Sequence, residues 1–492
     1  MPNKKLATSS VLISFLLVAS AVFAIGFSYT AWNTSGANLQ LAPLFIMDPN
    51  SVTINSQGVF SCITPVPPTP PTHCYTPAMI HAAYDLNPLY AQGLNGAGET
   101  IVIVDSFGSP TALKDLQTFS TEFGLPAPQL TIIREKGTPI YTGSAAQVDW
   151  AIETSLDLQW SHAIAPDAKQ VLIETNTNET EGNAGFPSIF QEEQYAVDHY
   201  PGAVISQSFG ATEQSFPSLP VAQTLISKYD QVYQHAIANR VTVFASAGDS
   251  GTYNCINVAC TTYAPYPTVI WPSSDPLVTS AGGTWLQYGW TWNPSSPTNT
   301  SFITTPGSRT EAVWNEPYLP AATGGGLSVL FRTPSFQKGI STILLNGARG
   351  PLPSRGVPDV SWNAAVNGGV LVYLGFAGTG LSSSGWYIIG GTSAASPQLS
   401  GLIALTNQLA DKDGKRHVGY LNPLLYMLPS SAFHDIVPLT FGPGKVRISN
   451  NSLYGSGVPG YTAGPSYDLA SGWGSPIAAN FVPDLVSELP PA

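Results

Sequence analysis

Charge is scarce in this 492-residue chain: only 10% of its residues are Asp, Glu, Lys or Arg, with 18 basic against 30 acidic. The net charge of −12 and the lack of any basic stripe exclude a nucleic-acid-binding role, because nothing is available to neutralise phosphates. So few ionic groups also leave few salt bridges to lose as carboxylates protonate, which suits an acid-tolerant extracellular protein. There is no internal repeat and no long charge run. Histidine is sparse too, and none of the seven stands at a His-Gly-Thr-type helix start. His162 and His199 lie in or near helical stretches, and His73 and His81 near the start of the globular part. His235, His417 and His434 have no adjacent glycine. A histidine-based nucleophilic site therefore lacks its usual sequence setting.

Cysteine is limited to four residues, an even number that favours two disulfides in an exported chain. Proximity pairs Cys62 with Cys74 and Cys255 with Cys260. The first pair demands a bend, since straight polyproline II would hold its ends roughly 35 Å apart. Export is read from the N-terminus, where two lysines precede an apolar run over residues 11–27. Residues 1–27 are a signal peptide with a cleavage site after Ala24, or an uncleaved membrane anchor; either places the bulk of the chain outside the cell. Residues 28–74, ending in a proline-rich tract over 64–71, read as a linker or short pro-region. Asn33, Asn178, Asn299 and Asn450 head Asn-x-Ser/Thr glycosylation sequences.

What the chain does contain begins with Gly390-Gly-Thr-Ser393-Ala-Ala-Ser-Pro397, a serine offered by small residues just before a helical run over 401–409. Free N–H groups and the dipole at a helix start favour an oxyanion forming beside that serine. Ser393 then needs a base. Residues 145–162 carry Val148, Ile152, Leu156 and Trp160 at four-residue spacing, which predicts an amphipathic helix. Glu153 and Asp157, also four apart, stack on one face of it. Two adjacent carboxyls do not both ionise cheaply, so one stays protonated and orients the other. With Asp149 a turn earlier, the same residues also fit a solvated acidic face. A third segment, residues 243–251, is an apolar strand followed by Asp249; an aspartate there donates a hydrogen bond only when protonated.

These three segments together resemble the sedolisin family of serine-carboxyl peptidases. Further matching stretches are Gly96–Asp105, Ala281-Gly-Gly-Thr284, Gly324-Gly-Gly-Leu-Ser328 and Pro358-Asp-Val-Ser361. The resemblance covers roughly residues 75–485. It implies a subtilisin-like α/β fold, a parallel sheet flanked by helices in a single catalytic domain over 75–488. It also implies roles: Ser393 as nucleophile, Glu153 as general base and acid, Asp157 as its orienting partner and Asp249 as oxyanion donor. A family Ca²⁺ site maps onto Asp435, Asp468 and the carbonyls of Ile436, Gly464 and Ser466, an all-oxygen set suited to a hard cation. The family has glycine where Ser466 stands, a change a carbonyl ligand tolerates if φ stays negative. Two loop aspartates capping turns are the plainer reading of Asp435 and Asp468. The family typically carries a large folded pro-domain; fewer than fifty residues separate the apolar segment from Tyr75 here.

Alternating elements support the fold separately. Strands are predicted over 100–104, 130–133, 170–174, 203–206 and 241–244, with helices over 111–122, 186–198 and 222–238 between them, which implies a parallel sheet. Catalytic loops then lie at the strand carboxyl ends, with Ser208-Phe-Gly210 lining the cleft. The expected function is a monomeric, secreted or surface-anchored endopeptidase that hydrolyses proteins or peptides in acid. At pH about 4 a glutamate near its ordinary pKa is still partly ionised and accepts the serine proton. Two alternatives stand beside this. One is a histidine-dependent subtilisin-type hydrolase using Asp105 at the end of the first strand. The other is a surface protein that keeps the fold without activity.

Overall fold

The computed structural model describes residues 46–47, 52–56, 58–62 and 73–492, apart from 136, 138–139, 177–185, 217, 258–260, 293–301, 317–319, 382 and 442–445. Residues 36–492 form one compact unit. Its centre is β3 (Thr100–Ser106), where Ile101, Val102, Ile103 and Val104 are all buried. A run without polar alternation is what a strand covered on both faces requires. In chain order there follow α1 (Ala112–Phe123), β4 (Gln129–Ile133), α2 (Ala145–Ile164), β5 (Lys169–Thr175), α3 (Phe186–His199), β6 (Val204–Gln207), α4 (Leu219–Ala238) and β7 (Thr242–Ser246). Every strand and helix predicted in this half is present, with ends shifted by a few residues.

The strands lie in the order β4-β5-β3-β6-β7 and run parallel. The sheet continues into the long β8 (Thr279–Trp292), which pairs parallel with β7 and β10 (Val360–Asn363) and antiparallel with β9 (Phe302–Val313). After β5 the chain crosses to the far side of β3 to form β6. Loops at the carboxyl ends of β3 and β6 therefore part, opening the crevice where open α/β sheets hold their sites. The architecture is the subtilisin-like α/β fold the sequence implied.

A second, four-stranded sheet has the order β1-β12-β11-β2, built from Ile46–Met47, Gly385–Gly390 (β12), Gly369–Leu374 (β11) and Cys74–Tyr75 (β2). It changes the reading of two segments. The first is α2, expected to be amphipathic, which is buried on all sides from Gln147 to Ile164. Gln170 of β5 donates to the Leu158 carbonyl at 2.7 Å, while Trp160 donates to Leu371 of β11 at 2.9 Å. The helix is thus held between two sheets, and a solvated acidic face is excluded. The second is the presumed linker. Ile46 and Met47 pair with Gly390 and Ile389, and Phe60 is buried against Phe123 and Trp386. Residues 46–47, 52–56 and 58–62 are therefore docked on the domain rather than free of it; the proline-rich tract over 64–71 lies outside the described residues. The Cys62–Cys74 disulfide is formed, with Cα atoms 5.5 Å apart. Cys255 is also disulfide-bonded, while Cys260 lies outside the described residues. The apolar segment 11–27, Asn33, Asn178 and Asn299 lie outside them too. Among the described residues no helix is long and apolar enough to cross a membrane.

Candidate active site

Strand β12 ends at Gly390, and the chain turns at Gly391, φ +108°, straight into α5 (Thr392–Lys412). The positive φ favours glycine and lets a strand become a helix within one residue. Ser393 consequently stands in the first turn, among N–H groups that the helix leaves without intrahelical partners. Helix α5 lies against α2 at very short range. A Cβ on Gly401 would come within 2.7 Å of the Ile164 Cβ, so only glycine permits this approach. Nearer the N-terminal ends of the two helices, the same packing brings Ser393 beside Glu153.

Glu153, Asp157 and Ser393 are each 0% exposed. Ser208, just past β6, donates its hydroxyl to Asp157 Oδ1 at 3.0 Å. Burial pushes the Glu153 carboxyl well above its ordinary pKa, and the charge of Asp105 adds to the rise. The nearby Ser393 and Ser208 hydroxyls pull it back towards ionisation. Neither Glu153 oxygen has a well-formed hydrogen bond to the described residues, so the Ser393 proton has an open acceptor. Asp157 is raised by burial first and then by the charge of Glu153. Asp105, at the end of β3, is raised to about 7 by burial. Asp105, which the sequence offered only to a histidine-dependent site, thus belongs to a three-carboxyl cluster with Glu153 and Asp157. Close carboxyls share protons, and the cluster titrates as a unit. The expectation that Glu153 keeps an ordinary pKa is corrected here: desolvation prevents it.

Asp249 follows β7 and is held by Thr392, the residue before Ser393. The Thr392 N–H and hydroxyl both donate to Asp249 Oδ1, at 2.8 and 2.9 Å, and the Gly248 N–H donates to the Thr392 hydroxyl at 3.0 Å. Burial lifts Asp249 to about 7 against these donors. With Oδ1 already accepting two bonds, the acid proton resides on Oδ2, which has no partner among the described residues. Below that pH Asp249 is a neutral carboxylic acid whose donor on Oδ2 is unused. Thr392 is the residue sequence reasoning passed over, although its place between the turn glycine and the serine pointed to it.

Six of the seven histidines are engaged elsewhere, and His434 lies in a short strand pairing with Ser475 near the C-terminus. His81, His162 and His199 bond to the carbonyls of Ala163, Pro126 and Tyr195, and His235 pairs with Asp198. His73 stacks on Trp290, and His417 bonds to the Gly202 carbonyl.

At the C-terminal loops, exposed Asp435 accepts from the Ser466 N–H at 3.0 Å, and buried Asp468 accepts from Gly464, Ala470 and Ser471 N–H groups. The turn-capping reading is therefore realised for Asp468, whereas Asp435 accepts from a loop distant in the sequence. The carbonyls of Ile436, Gly464 and Ser466 accept no hydrogen bond from the described residues, so the oxygen set still fits a hard cation. One condition fails: Ser466 has φ +65°, where a glycine is favoured and a serine is strained.

No family model matches this chain. It is similar to kumamolisin of a Bacillus species, 32% identical over 84% of this chain and 64% of the relative. It is also similar to sedolisin of a Pseudomonas species, 29% identical over 77% of this chain and 56% of that protein. The chain thus spans between half and two thirds of the length of these curated relatives. Among solved structures it resembles the Pseudomonas sedolisin described as a serine-carboxyl proteinase complexed with two molecules of pseudo-iodotyrostatin. The TM-score is 0.62 at 26% identity, over 84% of this chain and 98% of that one. A subtilisin-like fold with a serine set among buried carboxyls defines the class. In sequence and in fold the chain is similar to members of the sedolisin family.

Proposed function

We propose that the protein is a secreted or surface-anchored serine-carboxyl endopeptidase that hydrolyses protein or peptide substrates in acid. The observation that carries this reading is the Glu153 carboxyl, buried with Asp157 and Asp105 beside the Ser393 hydroxyl. In the proposed cycle the Ser393 oxygen attacks the peptide carbonyl carbon, and its proton passes to ionised Glu153. Charge develops on the carbonyl oxygen, where the Asp249 acid proton and the Ser393 N–H donate. Glu153 returns the proton to the departing amine as the C–N bond breaks, leaving an ester on Ser393. Water then attacks the ester, again giving its proton to Glu153, and the serine recovers it when the C–O bond breaks. Asp157 holds the cluster's remaining proton and orients Glu153. Since the Ser393 hydroxyl is shielded from solvent, peptide binding requires the cleft above it to open.

Asp435, Asp468 and the carbonyls of Ile436, Gly464 and Ser466 are the residues that would hold Ca²⁺, which would bind the C-terminal loops together and take no part in the chemistry. The function is tested by incubating purified protein with denatured casein across pH 3–8. Digestion in acid is expected. Ser393→Ala should abolish it, and Glu153→Gln should slow it by about 10²–10⁴-fold. Casein digestion by the Ser393→Ala protein at the wild-type rate would refute the assignment.

A further inference from the structure

Far from Ser393, at the opposite end of α5, three side chains outside the peptidase machinery converge. Glu99 immediately precedes β3, Asp411 lies in the last turn of α5, and His417 follows in the next loop. One ligand atom of each lies within 4.8 Å of the others. His417 Nε2 is 3.1 Å from Asp411 Oδ1 and 3.7 Å from Glu99 Oε2.

The other ring nitrogen settles the tautomer. His417 Nδ1 lies 3.0 Å from the Gly202 carbonyl, which can only accept, so Nδ1 carries the proton. Gly202 has φ +81°, and a Cβ there would come within 2.6 Å of that nitrogen, so the backbone is shaped to receive the ring. An imidazole that donates from one nitrogen to a backbone carbonyl, with the other facing carboxylates, has the arrangement of a metal-ligating histidine. Glu99 supplies the second observation. It is 4% exposed, yet its carboxylate accepts no hydrogen bond from the described residues, and it is turned towards this cluster. The charges acting on it are His417, which favours ionisation, and Asp411, which opposes it; no lysine or arginine contributes. A buried carboxylate without donors is costly unless a proton or a cation neutralises it. Asp411 and His417 are partly exposed, which leaves a side open for water to complete a shell.

We infer that Glu99, Asp411 and His417 form a binding site for a divalent cation of the Zn²⁺ class. One nitrogen and two carboxylate oxygens with open positions suit zinc and its neighbours, whereas Ca²⁺ and Mg²⁺ prefer all-oxygen sets. The site would fasten the end of the nucleophile helix to the start of the central strand.

The test uses the whole chain carrying Ser393→Ala, to prevent self-digestion, titrated with ZnCl₂ at pH 7 by calorimetry and thermal unfolding. One equivalent should bind with micromolar or tighter affinity and raise Tm, and CaCl₂ should not compete. His417→Gln and Asp411→Asn should each weaken zinc binding by at least about tenfold. Asp411 is on the surface, so its substitution leaves folding intact, and Asp435→Asn should bind zinc as the parent does. Absence of saturation below millimolar zinc would overturn the inference, as would parental affinity in both the His417→Gln and Asp411→Asn proteins. In that case the cluster is a histidinium held between two carboxylates.

Discussion

Ser393 meets a carboxyl where many serine hydrolases present an imidazole, and this exchange dictates the protonation state of every neighbour. In the proposed cycle the base, Glu153, must be ionised while the oxyanion donor, Asp249, remains protonated, so the working pH range would lie between two titrations. Burial raises both, and Asp249 sits at about 7. As pH rises through that value, Asp249 loses the proton it donates and activity should fall. The side-chain amide of an Asp249→Asn protein would keep the acceptor for Thr392 and donate an N–H at any pH. Its alkaline limb should therefore vanish or move upward, with activity at the optimum reduced by no more than about 10²-fold. A pH–kcat/KM profile of the two proteins decides; an unchanged alkaline limb would assign it to another group. The acid limb belongs to the coupled Glu153, Asp157 and Asp105 cluster. Because burial lifts all three, it should lie above the range of an ordinary glutamate.

Among elements, the decisive contact is between α2 and α5, the helices that carry Glu153 and Ser393. Their approach depends on Gly401, where an added methyl would press on the Ile164 side chain and lie 3.2 Å from the Ser161 carbonyl. Gly401→Ala should destabilise the protein by about 1–3 kcal/mol, the usual cost of overpacking. It should also lower kcat more than it raises KM, since parting the helices lengthens the path of the transferred proton. Urea unfolding and steady-state kinetics on the same preparation separate the two effects. A substitution without effect on either would show that α2 and α5 shift at no cost. Strand β12 contributes in a similar way. It carries the chain to Gly391, and the pairing of Ile46, Met47 and Val52 with it links the N-terminal segment to the turn before Ser393.

For the whole molecule, the small number of charges combines with their unusual burial. Asp105, Asp149 and Asp249 are each pushed up to about 7 by burial, and Glu193 to about 8. Asp230 also reaches about 8, through burial and then the neighbouring Asp275. These groups bind protons more tightly when folded than when unfolded. Their contribution is complete below the ordinary carboxyl pKa of about 4 and is lost as pH rises to about 8. Stability should therefore decline from acid towards neutral pH, with each group contributing on the order of 1 kcal/mol or more. Thermal unfolding of the Ser393→Ala protein between pH 4 and pH 8 measures this, and a Tm that rises with pH would contradict it. The structural pair Arg355–Asp359, wholly buried and bonded at 2.6 Å, is a counterexample in which an internal charge stays fully compensated.

The sequence by itself determined the alternation of strands and helices, the family resemblance, and the residue types at the candidate site. Periodicity, small-residue turns and motif order are local properties, and they survive without coordinates. It could not determine that α2 is enclosed: its apolar face, through Trp160, meets a second sheet formed by distant segments, while Glu153 and Asp157 are covered by the ends of the central strands. Nor could it reveal the raised carboxyl pKa values, which arise from desolvation by residues far away along the chain. The φ of Ser466, the docking of residues 46–47, 52–56 and 58–62 and the meeting of Glu99 with His417 also depend on chain crossings. Local pattern carries no record of which crossings occur, and only tertiary packing supplied that.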